Sequence, residues 1–198
     1  LVNAFARLIT EESINYELHI YGPIANKYIE TSIKKIIYSL KEVKIFLHNR
    51  VVPSDERICI FKELDALIYT TAMDGLPYTF IEAMELGTPV ISTNVGGIEY
   101  LIKDNNNGYI LNFNGLYVDN LYSDNPYNEL VNILNVNNEP YYKEFKRVLM
   151  KFISDDELFY SISNSAINTV HCDFNYMVLY KKVNDIVADS YAIEVGNE

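Results

Sequence analysis

The chain has 198 residues, 49% of them apolar and 22% charged, with a net charge of −11 at pH 7. That length suits one sizeable α/β domain and is short for two. The acidic balance argues against nucleic acid as the main partner, because neutralising phosphates takes clustered Lys and Arg, and against a polybasic membrane surface. No apolar run approaches the roughly 20 residues that span a bilayer, and no signal peptide opens the chain. Cys59 and Cys172 stand far apart, with no CxxC or His-rich spacing, and read as free thiols of a reducing compartment. The expectation is a cytoplasmic globular protein or domain.

Residues 1–12 space their apolar side chains as an amphipathic helix does, and the chain opens on this pattern without an initiator Met, like the middle of a domain. A short strand over 17–21 runs into the turn Gly22-Pro23. Residues 26–41 have helical periodicity, with Ile29, Ile33, Ile36, Ile37 and Leu40 on one face. A second strand covers 44–48, and Pro53-Ser54-Asp55-Glu56 supplies the start of a helix to about Lys62. Residues 65–69 are nearly continuously apolar, as a strand buried on both faces should be. A helix over 77–86 and a strand over 89–92 follow. After Asn94-Val95-Gly96-Gly97 come a short helix over 98–102, a turn over 104–108, and a strand over 109–111. Strands alternating with helices at this spacing predict a Rossmann-like, doubly wound parallel sheet.

Beyond Asn112 the composition changes. Residues 112–127, rich in Asn, Asp, Gly and Tyr, read as a long loop. Helical stretches follow near 128–136, 140–153, 155–169 and 176–190, and the tail from Ala192 reads as frayed. The organisation expected is one domain over 1–175, then a C-terminal helix and tail over 176–198.

The densest chemistry lies between Asp74 and Glu82. Asp74 follows the strand of 65–69 by a few residues, which places it at that strand's carboxyl end, where open α/β sheets bind ligands. Pro77 suits the first turn of a helix, since its missing N–H needs no partner there. The amides of Leu76, Tyr78 and Thr79 are then available to a phosphate oxygen at the positive end of the helix dipole. Glu82 falls about 7 Å further along the axis. Two acceptors flanking an amide cluster suit a ligand with hydroxyls at each end and a diphosphate between them, as in a nucleotide sugar. The plainer alternative is an acidic helix start stabilised by the dipole, with Glu82 on a solvated face.

This stretch resembles the nucleotide-sugar motif of the retaining GT-B glycosyltransferases of family 4, with Asp74 and Glu82 as the acidic pair. Gly75, Pro77, Ala83-Met84, Gly87 and Pro89-Val90-Ile91 stand in register with it. The resemblance implies that Asp74 contacts hydroxyls of the donor sugar and is the catalytic-site acid, while Glu82 binds the ribose. Asp replaces the Glu usual at position 74, which shortens its reach by one methylene.

Further matches lie in order along the chain. Ile45 to Val51 resembles the strand and loop that contact the nucleobase through backbone groups, with Val51 at the contacting position and Asn49, tolerant of left-handed geometry, where Gly is common. Gly96-Gly97 with Glu99 resembles the turn packed beside the donor, although close packing alone accounts for both glycines equally well. His171-Cys172-Asp173 cannot form a triad from adjacent positions and, with Phe174-Asn175, resembles the family's linker into its last helix. His19, within a strand, reads as a core residue.

The fold implied is one half of GT-B with C-terminal helices, lacking the first strand. The implied partners are a UDP- or GDP-sugar donor and an N-terminal acceptor-binding domain, by which the whole would be membrane-peripheral at most. The family's Gly-Arg turn and Lys-Gly pair, whose cations clamp the diphosphate, precede the matched region. Arg50 and Arg7 are the cations nearest to hand. No Asp-x-Asp metal motif appears, so neither metal nor cofactor is implied. The function expected is donor binding for retaining sugar transfer to an acceptor hydroxyl, in surface polysaccharide or glycoconjugate synthesis, by a fragment inactive alone. The alternatives are a non-catalytic nucleotide-sugar-binding module and a GT-B sugar-nucleotide epimerase.

Overall fold

The structure, a computed structural model, describes residues 1–40, 44–71, 74–112 and 138–175, together with 177, 178, 180, 181 and 184. The described elements run α1 (Val2–Glu12), β1 (Glu17–Tyr21), α2 (Lys27–Ser39), β2 (Lys44–His48), α3 (Ser54–Glu63), β3 (Leu67–Tyr69), α4 (Tyr78–Glu85), β4 (Val90–Thr93), α5 (Ile98–Leu101), β5 (Gly108–Leu111), α6 (Asn138–Ile153) and α7 (Asp156–Asp173). Most of the expected loop of 112–127 and the helix expected near 128–136 lie outside the described residues. Residues 177, 178, 180, 181 and 184 are helical, inside the stretch expected as the last helix. The chain divides into two compact units, Leu1–Ile60 with Leu111–Ser154, and Phe61–Ile110 with Asp155–Glu198.

In the first unit β1 and β2 pair in parallel, Glu17 opposite Lys44 and Tyr21 opposite His48. Strand alternation turns Leu18 and Ile45 into the core. The opposite face carries His19, Tyr21, Phe46 and His48, so His19 is half-buried among rings and not a core residue. Asn26 caps α2 through its side chain, accepting from the amides of Tyr28 (2.9 Å) and Ile29 (3.3 Å), so the helix begins one residue later than its periodicity suggests. Helix α1 buries Phe5, Ala6, Leu8 and Ile9 and packs on α6. Arg7 bridges these two helices, reaching Glu11 (2.7 Å) and Glu139 (2.6 Å) while lying 3.7 Å above the Tyr142 ring. Glu11 also accepts from the Tyr142 hydroxyl. Hydrogen bonds from Tyr142 and then Arg7 hold Glu11 down to about 2, and burial followed by the bond to Glu11 pushes Tyr142 up to about 12.

The second unit holds a three-stranded sheet in the order β3-β4-β5. β3 and β4 pair in parallel, Leu67 opposite Val90 and Tyr69 opposite Ser92. All four residues of central β4 are buried, whereas β3 is half-buried throughout. The strand expected to be buried on both faces is therefore an edge strand among the described residues, and continuous apolarity did not distinguish the two positions. Helix α4 buries Phe80, Ala83 and Met84 and packs on α7. Gly87 ends α4 at φ 80°, where Ser163 on α7 donates to its carbonyl (2.5 Å). Asp155 caps α7, accepting from the Leu158 amide (2.9 Å). His171, Cys172 and Asp173 belong to the last turn of α7, which runs four residues past its expected end. Both cysteines are free and exposed. Among the described residues no helix is long and apolar enough to cross a membrane.

Candidate functional site

The acidic loop is assembled at the carboxyl ends of β3 and β4. Its first fastenings are hydroxyls that the sequence pattern does not single out. Ser92, fully buried in β4, donates to the carbonyl of Tyr69 (3.2 Å), and Thr93 donates to that of Thr71 (2.5 Å). Further back, buried Thr88 donates to the Phe61 carbonyl (2.6 Å). The Ser92 and Thr93 hydroxyls thus give partners to carbonyls at and just beyond the end of β3, and Thr88 gives one to the last turn of α3.

Asp74 is half-buried, and its Oδ2 accepts from the Tyr69 hydroxyl at 3.0 Å. The Tyr69 ring meets Phe80 edge-on, with centroids 5.2 Å apart and planes at 86°. Burial, then the bond to Asp74, raises the Tyr69 phenol above its ordinary range, so it remains a donor at neutral pH.

Gly96 and Gly97 press directly on this loop. The Gly97 amide donates to the Gly75 carbonyl (2.8 Å). Gly96 has φ 56°, and a Cβ there would stand 1.9 Å from the Asp74 carbonyl oxygen. Only a residue without a side chain permits that approach. Two segments some twenty residues apart thus meet backbone to backbone, and close packing suffices to explain both glycines.

Pro77 is the N-cap of α4, with ψ 121°, one position outside the first turn expected for it. Its side chain accepts no hydrogen bond, so no cap occupies the amides of Tyr78 and Thr79. The first turn of α4 holds no acidic residue. Glu82 is half-buried on the side of α4 away from Phe80, Ala83 and Met84. Leu76 and Tyr78 are exposed at the loop's outer edge.

Arg50 and Val51 belong to the first unit. Val51 is 73% exposed. The Arg50 guanidinium is gripped by the Glu56 carboxylate of α3, with Nη1 to Oε2 at 2.8 Å. Asn49 is not left-handed, since the positive-φ residues other than glycine among those described are Ser13 and Asn105. Its side chain instead accepts from the Ile24 amide (2.7 Å), tying the turn after β1 to the end of β2. Arg7 is occupied by its two carboxylates, as described above. Among the described residues no three His, Cys, Asp or Glu side chains gather as metal ligands would.

The family of glycosyl transferases group 1 matches residues 1–122, more than half of the chain. The chain belongs to that family. It has no match among the curated proteins. Among solved structures it is similar to the C-terminal domain of a glycosyl transferase group 1 family protein (LpcC) from Francisella tularensis, at 15% identity and TM-score 0.60, covering 88% of this chain and 98% of that one. It is also similar to a variant of TarM from S. aureus in complex with fondaparinux, alpha-GlcNAc-glycerol and UDP, at 17% identity and TM-score 0.64, covering 92% and 31%. HepE from Anabaena, in complex with UDP and glucose, matches at 14% identity and TM-score 0.64, covering 95% and 43%. The chain therefore spans less than half the length of the TarM and HepE chains. At these identities the likeness establishes the fold, the α/β architecture of GT-B C-terminal domains.

Proposed function

We propose that this chain binds the nucleoside diphosphate sugar donor of a group 1 glycosyltransferase. The carrying observation is the docking of Gly96-Gly97 on the Asp74-Gly75 backbone, which draws the acidic loop against the carboxyl end of β4 beside an uncapped helix start. In this reading Asp74 accepts from the sugar's hydroxyls and Glu82 from the ribose. The loop from Gly75 to Thr79, with Leu76, Pro77 and Tyr78 between them, presents amides to the diphosphate, where the helix dipole favours negative charge. Gly96 and Gly97 hold that loop.

The reaction we assign to the whole protein is transfer of the sugar to an acceptor hydroxyl with retained configuration, as in family 4 enzymes, in polysaccharide or glycoconjugate synthesis. In this reading the chain's own share is donor binding, and the acceptor site belongs to a partner domain. A leaving diphosphate needs donors or cations where charge develops, and helix amides alone fall short of that need. We therefore expect little or no transfer by the chain alone. The UDP in the HepE and TarM complexes supports a uridine donor, with GDP-sugars as the other candidate.

Titration calorimetry with UDP, GDP and their sugars tests the reading. Weak binding that Glu82→Ala abolishes is expected. Unchanged binding in that variant would remove the ribose assignment, and appreciable transfer by this polypeptide alone would overturn the division of labour.

A further inference from the structure

A loop carboxylate is a poor recognition element unless something fixes it. Asp74 lies outside any helix or strand. The structure supplies a fixture. Tyr69 ends β3, opposite Ser92 in the register, and its carbonyl accepts from the Ser92 hydroxyl. Its ring stands edge-on against Phe80, a fully buried residue of α4. Backbone and ring are thus both held, and a side chain with two rotatable torsions delivers its hydroxyl to Asp74 Oδ2 at 3.0 Å. A hydrogen bond to an ionised acceptor is roughly twice as strong as a neutral one.

We propose that Tyr69 is a positioning residue of the donor site. Its hydroxyl fixes Oδ2 of Asp74, so that Oδ1 accepts from a hydroxyl of the donor sugar. This rests on the donor-binding reading above and adds to it a residue specific to sugar recognition. Tyr69 acts only through Asp74, so its loss weakens binding of the sugar and leaves binding of the nucleotide alone.

The test is calorimetry on the whole chain with UDP-glucose and GDP-glucose beside UDP and GDP. Tyr69→Phe, which keeps the ring against Phe80, should reduce the affinity for the preferred sugar nucleotide by roughly 2- to 10-fold, the cost of ordering the freed Asp74 side chain on binding. Affinity for the free nucleotide should not change. A merely structural tyrosine would not be selective between sugar nucleotide and free nucleotide in this way. If wild type and Tyr69→Phe bind the sugar nucleotide equally, the positioning role is wrong and the donor site stands. If the wild-type chain binds none of the four ligands, the donor-binding reading falls and takes this inference with it. A ligand-free check is the titration of [13Cζ]-tyrosine, in which Asp74→Asn should lower the Tyr69 midpoint. An unmoved midpoint overturns the contact itself.

Discussion

Replacing Gly96 by Ala isolates the contact on which the site depends. A Cβ at Gly96 would stand 1.9 Å from the Asp74 carbonyl oxygen and 3.0 Å from the Gly75 carbonyl oxygen, and real Cβ atoms essentially never come closer than 3.0 Å. The obstruction is backbone, so no side chain can swing aside. The Asp74 peptide must retreat by roughly 1 Å, a displacement that at a reacting site costs on the order of 100-fold. Two costs to stability accompany it. Ala in the left-handed region at φ 56° costs about 1–2 kcal/mol, and disturbing the 2.8 Å bond from the Gly97 amide to Gly75 costs about 1 kcal/mol more. We expect Gly96→Ala to lose about 2–3 kcal/mol in urea denaturation and to bind nucleotide sugars undetectably by calorimetry. Two neighbours serve as controls. Gly75 has nothing within 4 Å of its would-be Cβ, and Gly97 has only a 3.3 Å approach to the Gly75 oxygen, both without positive φ. Gly75→Ala should stay within about 0.5 kcal/mol of wild type, and Gly97→Ala should fall between the two. A Gly96→Ala protein as stable as the Gly75→Ala protein would refute the close-approach argument.

Two further predictions concern the support of the two units. Asn107 is 1% exposed, accepts from the Lys103 amide (2.6 Å), and donates to the Leu101 carbonyl and the Thr169 hydroxyl (2.9 Å each). Asn107→Leu should cost about 2–4 kcal/mol in urea denaturation, because it leaves buried partners unpaired, and a loss below about 1 kcal/mol would show that they find other partners. In the first unit the folded-state pKa of Glu11 is depressed, so its contribution is present above the unfolded carboxylate value near 4.5 and disappears as pH falls towards about 2. Glu11→Gln should therefore be less stable than wild type at pH 7, with the difference closing between about pH 5 and pH 2 in denaturant titrations. A pH-independent difference would mean that the carboxylate's charge plays no part.

The order of elements and the spacing of the acidic motif were legible because they are local. Apolar periodicity identifies α1, α2 and the strands within a few residues, and Asp74, Gly75, Pro77 and Glu82 are close enough in sequence to be read together. The same periodicity did not show that, among the described residues, β3 is an edge strand and β4 the central one, since both are apolar and only pairing distinguishes them. Nor did it mark where α7 stops, because its last turn carries polar residues that fit a helix as well as a linker.

What the sequence determined by itself was a candidate site chemistry, two carboxylates around a Gly-Pro helix start, and the family likeness that goes with it. Tertiary structure decided how that loop is held. The hydrogen bonds of Ser92 and Thr93 to backbone leaving β3, the approach of Gly96 to Asp74, and the Tyr69 hydroxyl on the Asp74 carboxylate each arise from strand pairing or loop docking. Such contacts leave no periodic trace in the chain, because a hydroxyl or a missing side chain acquires its role only when another segment arrives beside it.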